Sequence, residues 1–211
     1  MRHALLRACG LAVILAGAPA LSRGQSPAPA TAVFAGGCFW GIEGVFEHVK
    51  GVLSATAGYA GGRVVSPSYE QVSTGQTGHA ESVRVTYDPT QVSYQQLLEV
   101  FFTIAHDPTQ KNRQGPDHGT QYRSVVFYTD TVQARLARAY VADLTGRRVY
   151  AGPIVTEIVP LQAFYDAESY HQGYMARHPD APYIVYNDAP KVQRLRESLP
   201  GLYREPQVVT K

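Results

Sequence analysis

Cysteine is nearly absent from this chain: 211 residues carry two, Cys9 and Cys38. Charge is sparse as well, at 17%, and no cluster of Lys and Arg stands out. That absence removes the electrostatic footprint of a nucleic-acid binder and any handle for an anionic membrane surface. No apolar run approaches the roughly 20 residues that a membrane-spanning helix needs. Neither the Gly-x-Gly-x-x-Gly pattern nor the phosphate-loop pattern occurs, so a nucleotide cofactor is not expected. His79, His106, His118 and His171 lack the spacing of a compact metal motif. What is present is a chain that is 45% hydrophobic, enough for one soluble domain with a real core.

The first residues carry their own pattern. Arg2, His3 and Arg7 precede a short apolar run at 11–18, and Ala18-Pro19-Ala20 has the small-x-small form of a processing site. Residues 1–20 therefore read as a cleaved signal peptide, and export, to a bacterial periplasm, is expected. Residues 21–31 are Ser- and Pro-rich and read as a flexible spacer. The folded domain is then 32–200, followed by a tail at 201–211. Loss of the signal removes Arg2, Arg7 and Cys9, which leaves 17 basic and 17 acidic residues and Cys38 alone. An exported protein with one cysteine makes no internal disulfide. Its thiol is either an inert buried hydrophobe or in use.

Hydrophobic periodicity gives the order of elements. A short apolar strand at 32–35 meets Gly36-Gly37, and Phe39, Ile42, Phe46 and Val49 then recur at helical spacing. Residues 52–59 read as a strand and 60–78 as a Gly-rich loop. Val83, Val85 and Tyr87 alternate with polar residues as a half-buried strand. Ser93 with Gln96 forms a capping box for the next helix. A polar loop at 107–119, a strand at 122–128, a helix capped by Asp130 and a last strand at 154–159 follow. The fold class is α+β, with an antiparallel or mixed sheet and helices packed on it. Beyond Pro160 a long, coil-rich segment with short helices wraps the domain.

Cys38 sits at a glycine-hinged junction of strand and helix. The free amides of a helix start favour a thiolate, and such a position pulls a cysteine pKa below its usual value of about 8.5. Gly36 and Gly37 permit a tight turn that leaves the side chain accessible. Position alone fits several thiol enzymes.

Gly37-Cys38-Phe39-Trp40 resembles the signature of A-type peptide methionine sulfoxide reductases, and it does not stand alone. The segments Gly58-Tyr59-Ala60-Gly61-Gly62, Tyr69-Glu70-Gln71-Val72 and Gly78-His79-Ala80-Glu81 are similar to later blocks of that family. So are the stretch from Asp117 to Ser124, the stretch from Phe164 to Gln172, Pro182-Tyr183-Ile184 and Pro190-Lys191-Val192. The blocks run in order from Val33 to about Pro200. The resemblance implies a two-layer α/β sandwich with a ferredoxin-like core. It implies reduction of methionine S-sulfoxide, free or in proteins, with Cys38 as nucleophile passing through a sulfenic acid. Glu81 matches the family's proton-donating acid, a role that needs a raised carboxyl pKa. Tyr69 and Tyr122 match the tyrosines that hydrogen-bond the sulfoxide oxygen. Phe39 and Trp40 match the residues around the substrate methyl group, and Asp117 an acid that helps hold substrate or site.

The departure is at the C-terminal end. Many relatives carry further cysteines there that resolve the sulfenic acid; residues 144–211 have none. No cofactor is expected, and the reductive half-reaction needs an external thiol, from a thioredoxin-like or glutaredoxin-like protein or a small molecule. The partners are thus oxidised substrate and thiol reductant, without nucleic acid or membrane insertion after signal removal, and the protein is expected as a monomer. Two other readings compete. A cysteine hydrolase or acyltransferase needs a histidine base near Cys38, and His79 or His118 would have to supply it. A non-catalytic protein that binds methionine or its oxide would keep Cys38 only for packing.

Overall fold

A computed structural model describes residues 27–205. The signal peptide read at 1–20, most of the spacer and the end of the tail lie outside the described residues. The first strand, β1, is Ala30–Gly36, so Ala30 and Thr31, read as spacer, pair in the sheet. Its side chains alternate with period two. Ala32 and Phe34 enter the main core, while Val33 and Ala35 enter a smaller cluster with Val125 and Phe127. Helix α1, Phe39–Glu47, follows, then β2, Val52–Ala60.

The loop read at 60–78 contains a short helix, α2, Tyr69–Ser73, opened by a capping box between Ser68 and Gln71. Next come β3, Ala80–Tyr87, and α3, Tyr94–Val100, with the expected Ser93–Gln96 capping box. That helix runs straight into a π-helical turn, Phe101–Ala105. The polar loop folds a two-residue hairpin, β4 (Arg113–Gln114) with β5 (Asp117–His118). Tyr122, read as the start of a strand, ends a 3-10 turn, Thr120–Tyr122, and strand β6 is Ser124–Tyr128. The remaining elements are α4, Thr131–Gly146, β7, Glu157–Pro160, and β8, Phe164–Asp166. After them the C-terminal segment is coil with α5, Tyr174–Arg177, a second π-helical turn, Ile184–Asp188, and α6, Ala189–Ser198.

The sheet order is β7-β6-β1-β3-β2-β8. The four central strands are antiparallel to one another, and with α1 and α3 they form the two split βαβ units of a ferredoxin-like core. Strand β7 adds to one edge in parallel and β8 to the other antiparallel, so the sheet is mixed. Phe34 of β1 stacks on Phe46 of α1 at 5.3 Å and on Phe101 at 4.8 Å between ring centroids. Side chains of this size contribute about 1.5–3 kcal/mol each on full burial. Helix α1 is buried on nearly every side, including Glu43, because the C-terminal segment covers the face turned away from the sheet. Residues read as tail also pack: Tyr203 bridges to Val49, and the Arg204 N–H donates to the His48 carbonyl at 2.8 Å.

Candidate active site

Strand topology gathers three segments at one end of the sheet. β1 ends at Gly36, opposite Ser124 at the start of β6. β1 is also antiparallel to β3, so its end lies beside the beginning of β3, where Glu81 sits. Between β1 and α1 the chain turns through Gly37, whose φ of 101° lies in the region open to glycine. A Cβ there would also come within 2.6 Å of Gln114. Cys38 is the residue that caps α1.

The first amide of α1 goes to one of the reacting groups: the Phe39 N–H donates to Oε2 of Glu81 at 3.1 Å, while the Cys38 side chain, at the N-cap position, makes no capping hydrogen bond. A helix start was expected to lower the thiol pKa. The result is the reverse. Burial pushes the Cys38 thiol well above its ordinary value, Glu81 and Asp188 add to the rise, the Trp40 amide pulls against it, and Asp117 adds a little more. One amide does not offset that burial together with several acids. Glu81 is 2% exposed. Burial pushes its carboxyl up to about 8, against the pull of the Phe39 amide and with a smaller push from Asp117. At neutral pH it therefore holds a proton, as a donor requires.

The tyrosines arrive on short elements tied by polar side chains. The Tyr69 N–H, at the start of α2, donates to Glu168 at 2.8 Å, and the other oxygen of Glu168 accepts from the Tyr59 hydroxyl at 2.8 Å. Gln121 donates to the Ser73 carbonyl at 3.3 Å, and Arg123 to those of Thr120 and Gly78 at 2.9 and 3.0 Å. These ties place Tyr122 within electrostatic reach of Glu81, Tyr69, Asp117 and Cys38. Burial raises the pKa of both phenols, so they remain hydrogen-bond donors.

Phe39 is 1% exposed and belongs to the core, while its ring also lies 4.9 Å from His171 and 6.5 Å from Tyr69. Trp40 is half-buried. It stacks on Tyr174 at 3.7 Å, meets Tyr183 edge-on at 5.9 Å and donates its indole N–H to His171 at 3.1 Å. Asp117, on β5, accepts a hydrogen bond from the Tyr183 hydroxyl. The seven residues singled out from the sequence thus gather around the first turn of α1.

Sequence reasoning assigned no role to Tyr174, Tyr183, Asp188 or Lys191, which also border it. Tyr183 and Lys191 lay within blocks that resembled the family; Asp188 had no signal. The histidines proposed as bases are committed elsewhere or exposed. Both ring nitrogens of His79 bond backbone, to Gly62 and Val64, and His118 is exposed on the hairpin. Among the described residues no group of three or more His, Cys, Asp or Glu could hold a metal ion, and no helix is long and apolar enough to cross a membrane.

A protonated acid fixed beside a thiol, under donors that stay protonated, suits chemistry in which an oxygen leaves one sulfur and ends on another. Cysteine-dependent enzymes of this construction are known. The profile of the peptide methionine sulfoxide reductase family matches residues 30–201. The chain is 53% identical over 184 residues to the reductase MsrA 2 of Mesorhizobium japonicum, covering 87% of this chain and 94% of that one. It is 49% identical over 166 residues to MsrA 2 of Synechocystis, covering 79% and 78%. The fold superposes on reduced Mxr1 of Saccharomyces cerevisiae with a TM-score of 0.68 at 34% identity, over 72% of this chain and 87% of that one. For methionine sulfoxide reductase A of Corynebacterium diphtheriae the TM-score is 0.65 at 40% identity, over 75% and 79%. The chain belongs to the peptide methionine sulfoxide reductase family, of the MsrA type. It is a peptide-methionine (S)-S-oxide reductase that works through cysteine chemistry and depends on a thiol reductant.

Proposed function

We propose that Cys38 attacks the sulfoxide sulfur while Glu81 delivers its proton to the sulfoxide oxygen. The oxygen passes to Cys38, methionine leaves as the thioether, and Cys38 becomes a sulfenic acid. The substrate sulfur gains two electrons and the cysteine sulfur loses two; the thiol proton replaces the one spent by Glu81. The observation that carries this reading is the hydrogen bond from the Phe39 amide to Glu81 at 3.1 Å, which anchors a proton-holding acid one residue from the nucleophile. Tyr69 and Tyr122 hydrogen-bond the oxygen as charge develops, and Trp40, with the edge of Phe39, receives the S-methyl group. Asp117 acts through Tyr183, which it holds.

Among the described residues Cys38 is the free cysteine, which supports recycling by an outside thiol. One thiol attacks the sulfenic sulfur, releasing water and leaving a mixed disulfide; a second thiol releases Cys38. A thioredoxin-like or glutaredoxin-like protein or a small thiol fills this role. The protein acts as a monomer on free and protein-bound methionine S-sulfoxide. The charged start, short apolar run and small-residue site at 1–20 support export to a periplasm.

A single turnover without reductant tests the chemistry. Pre-reduced protein with excess (S)-sulfoxide is expected to yield about one equivalent of methionine, with Cys38 trapped as a sulfenic acid by a 1,3-dione. No methionine from folded protein with reduced Cys38 would refute the mechanism.

A further inference from the structure

One buried charged pair has no part in these steps. Asp188 closes the second π-helical turn and is fully buried, with Lys191 3.0 Å away and itself only 17% exposed. One Asp188 oxygen accepts from Lys191, and the other has no hydrogen-bond partner among the described residues. The side chain does not cap α6. It packs instead on the first turn of α1. A Cβ at Gly41 would run into the Asp188 carboxylate and come within 2.9 Å of the Lys191 ammonium. Cys38 begins that turn. On its other side Lys191 borders a cavity of about 580 Å³, with Arg194, Asp107 and Tyr186 in its wall.

Resting on the reading of Cys38 as nucleophile, we propose that Asp188 and Lys191 are positioning residues that set the charge around it. Asp188 keeps the resting thiol protonated, and so shielded from peroxide, while Lys191 limits that effect so that the thiolate still forms during turnover. The other groups facing Cys38 are Glu81 from β3, Asp117 from β5, Tyr69 from α2, Tyr122 from the 3-10 turn and Tyr183. Glu81 and the phenols are neutral at pH 7, and Asp117 accepts from the Tyr183 hydroxyl. Burial raises the Asp188 carboxyl and Lys191, 3.0 Å away, pulls against that rise; of the acids facing Cys38, Asp188 is the one whose partner is a cation. The shielding matters because only a thiolate attacks peroxide readily. Its sulfur bonds one oxygen, the O–O bond breaks and hydroxide leaves. A second peroxide takes the sulfenic acid to sulfinic acid, which thiols do not reverse. With no second cysteine among the described residues to trap the sulfenic acid, Cys38 is exposed to that loss.

The test is the pH dependence of Cys38 alkylation by iodoacetamide in the full chain, read on the Cys38 peptide so that Cys9 does not contribute. Asp188→Asn leaves Lys191 as an unbalanced cation. The apparent thiol pKa is expected to fall by at least about one unit, which makes alkylation at pH 7 about tenfold faster. Hydrogen peroxide should inactivate this variant faster by the same factor. The double variant Asp188→Asn/Lys191→Gln lacks both charges and is expected to return most of the way to the parent curve. Lys191→Arg keeps the pair and should stay on it. If Asn disrupts folding, Asp188→Ser carries the same expectation. An unchanged alkylation curve for Asp188→Asn, or equal shifts in the single and double variants, would overturn the proposal. The assay contains no sulfoxide, so this failure is separate from a failure of the reductase mechanism.

Discussion

The two halves of the site are held by different means. Cys38 and Glu81 stand at the ends of β1 and β3, strands in the middle of the sheet whose inward side chains are fully buried. Tyr69, Tyr122, Asp117 and Tyr183 arrive on a five-residue helix, a 3-10 turn, a two-residue strand and the helical residue that opens the second π turn. Those pieces are fixed by side chains bonding distant partners: Glu168 to Tyr59 and the Tyr69 amide, Gln121 to the Ser73 carbonyl, Gln172 to both backbone groups of Ala57. Each such tie is worth about 1 kcal/mol net, whereas the core half rests on packing that no single polar contact controls. The reacting atoms are therefore positioned by the fold as a whole, and the substrate-holding groups by ties that can be cut one at a time.

Cutting the core half has the largest expected effect. Glu81→Gln keeps the shape and the bond from Phe39 but removes the proton, and the single-turnover rate is expected to drop by roughly 100- to 10,000-fold with the melting curve intact. A loss below tenfold would show that the proton comes from elsewhere. The same acid makes binding depend on pH. With its pKa at about 8, Glu81 is protonated below that value and loses the proton as pH rises through it. Sulfoxide binding, measured calorimetrically on Cys38→Ser so that the Cys38 thiol does not titrate, should be level at lower pH and weaken above about 8. The curve should be flat for Cys38→Ser/Glu81→Gln, and a decline that survives there would assign it to another group. The smallest effect belongs to the peripheral half. Glu168→Gln loosens Tyr69 and Tyr59 together, and kcat/KM is expected to fall by a factor of roughly 3–10, in line with about 1 kcal/mol of lost positioning. A fall as large as that of Glu81→Gln would place Tyr69 among the rigidly held groups and blur the contrast.

The same division governs what the sequence revealed. β1, α1, β3 and β6 were legible because burial imposes periodicity, and Cys38 was legible because a lone thiol after two glycines has few bland explanations. Helix α2 was read as loop although Ser68 and Gln71 spell a capping box; five residues are too few for a hydrophobic stripe to register. Strand β8 and the ties made by Glu168 and Gln172 depend on partners far along the chain, which no local pattern encodes. The thiol pKa was misjudged for the same reason. The helix start was visible locally, whereas the burial that outweighs it, and the acids of β3, the C-terminal segment and β5 that add to it, depend on the folded chain.

Both π-helical turns end against the nucleophile's surroundings. The first is followed by His106, packed behind Gly36, and the second delivers Asp188 to Gly41. A π turn holds one residue more than an α turn, and each residue of helix advances the direction of a side chain by roughly 100°. The face that α6 shows to α1 is therefore a matter of counting: it is set by the number of residues upstream of the helix, not by the residues in it. Removing one residue between Ile184 and Asp188 would leave the composition of α6 untouched and rotate its acid and its lysine away from Cys38 together. Chain length at that point is a determinant of the site in its own right, one that alters no side chain when it changes.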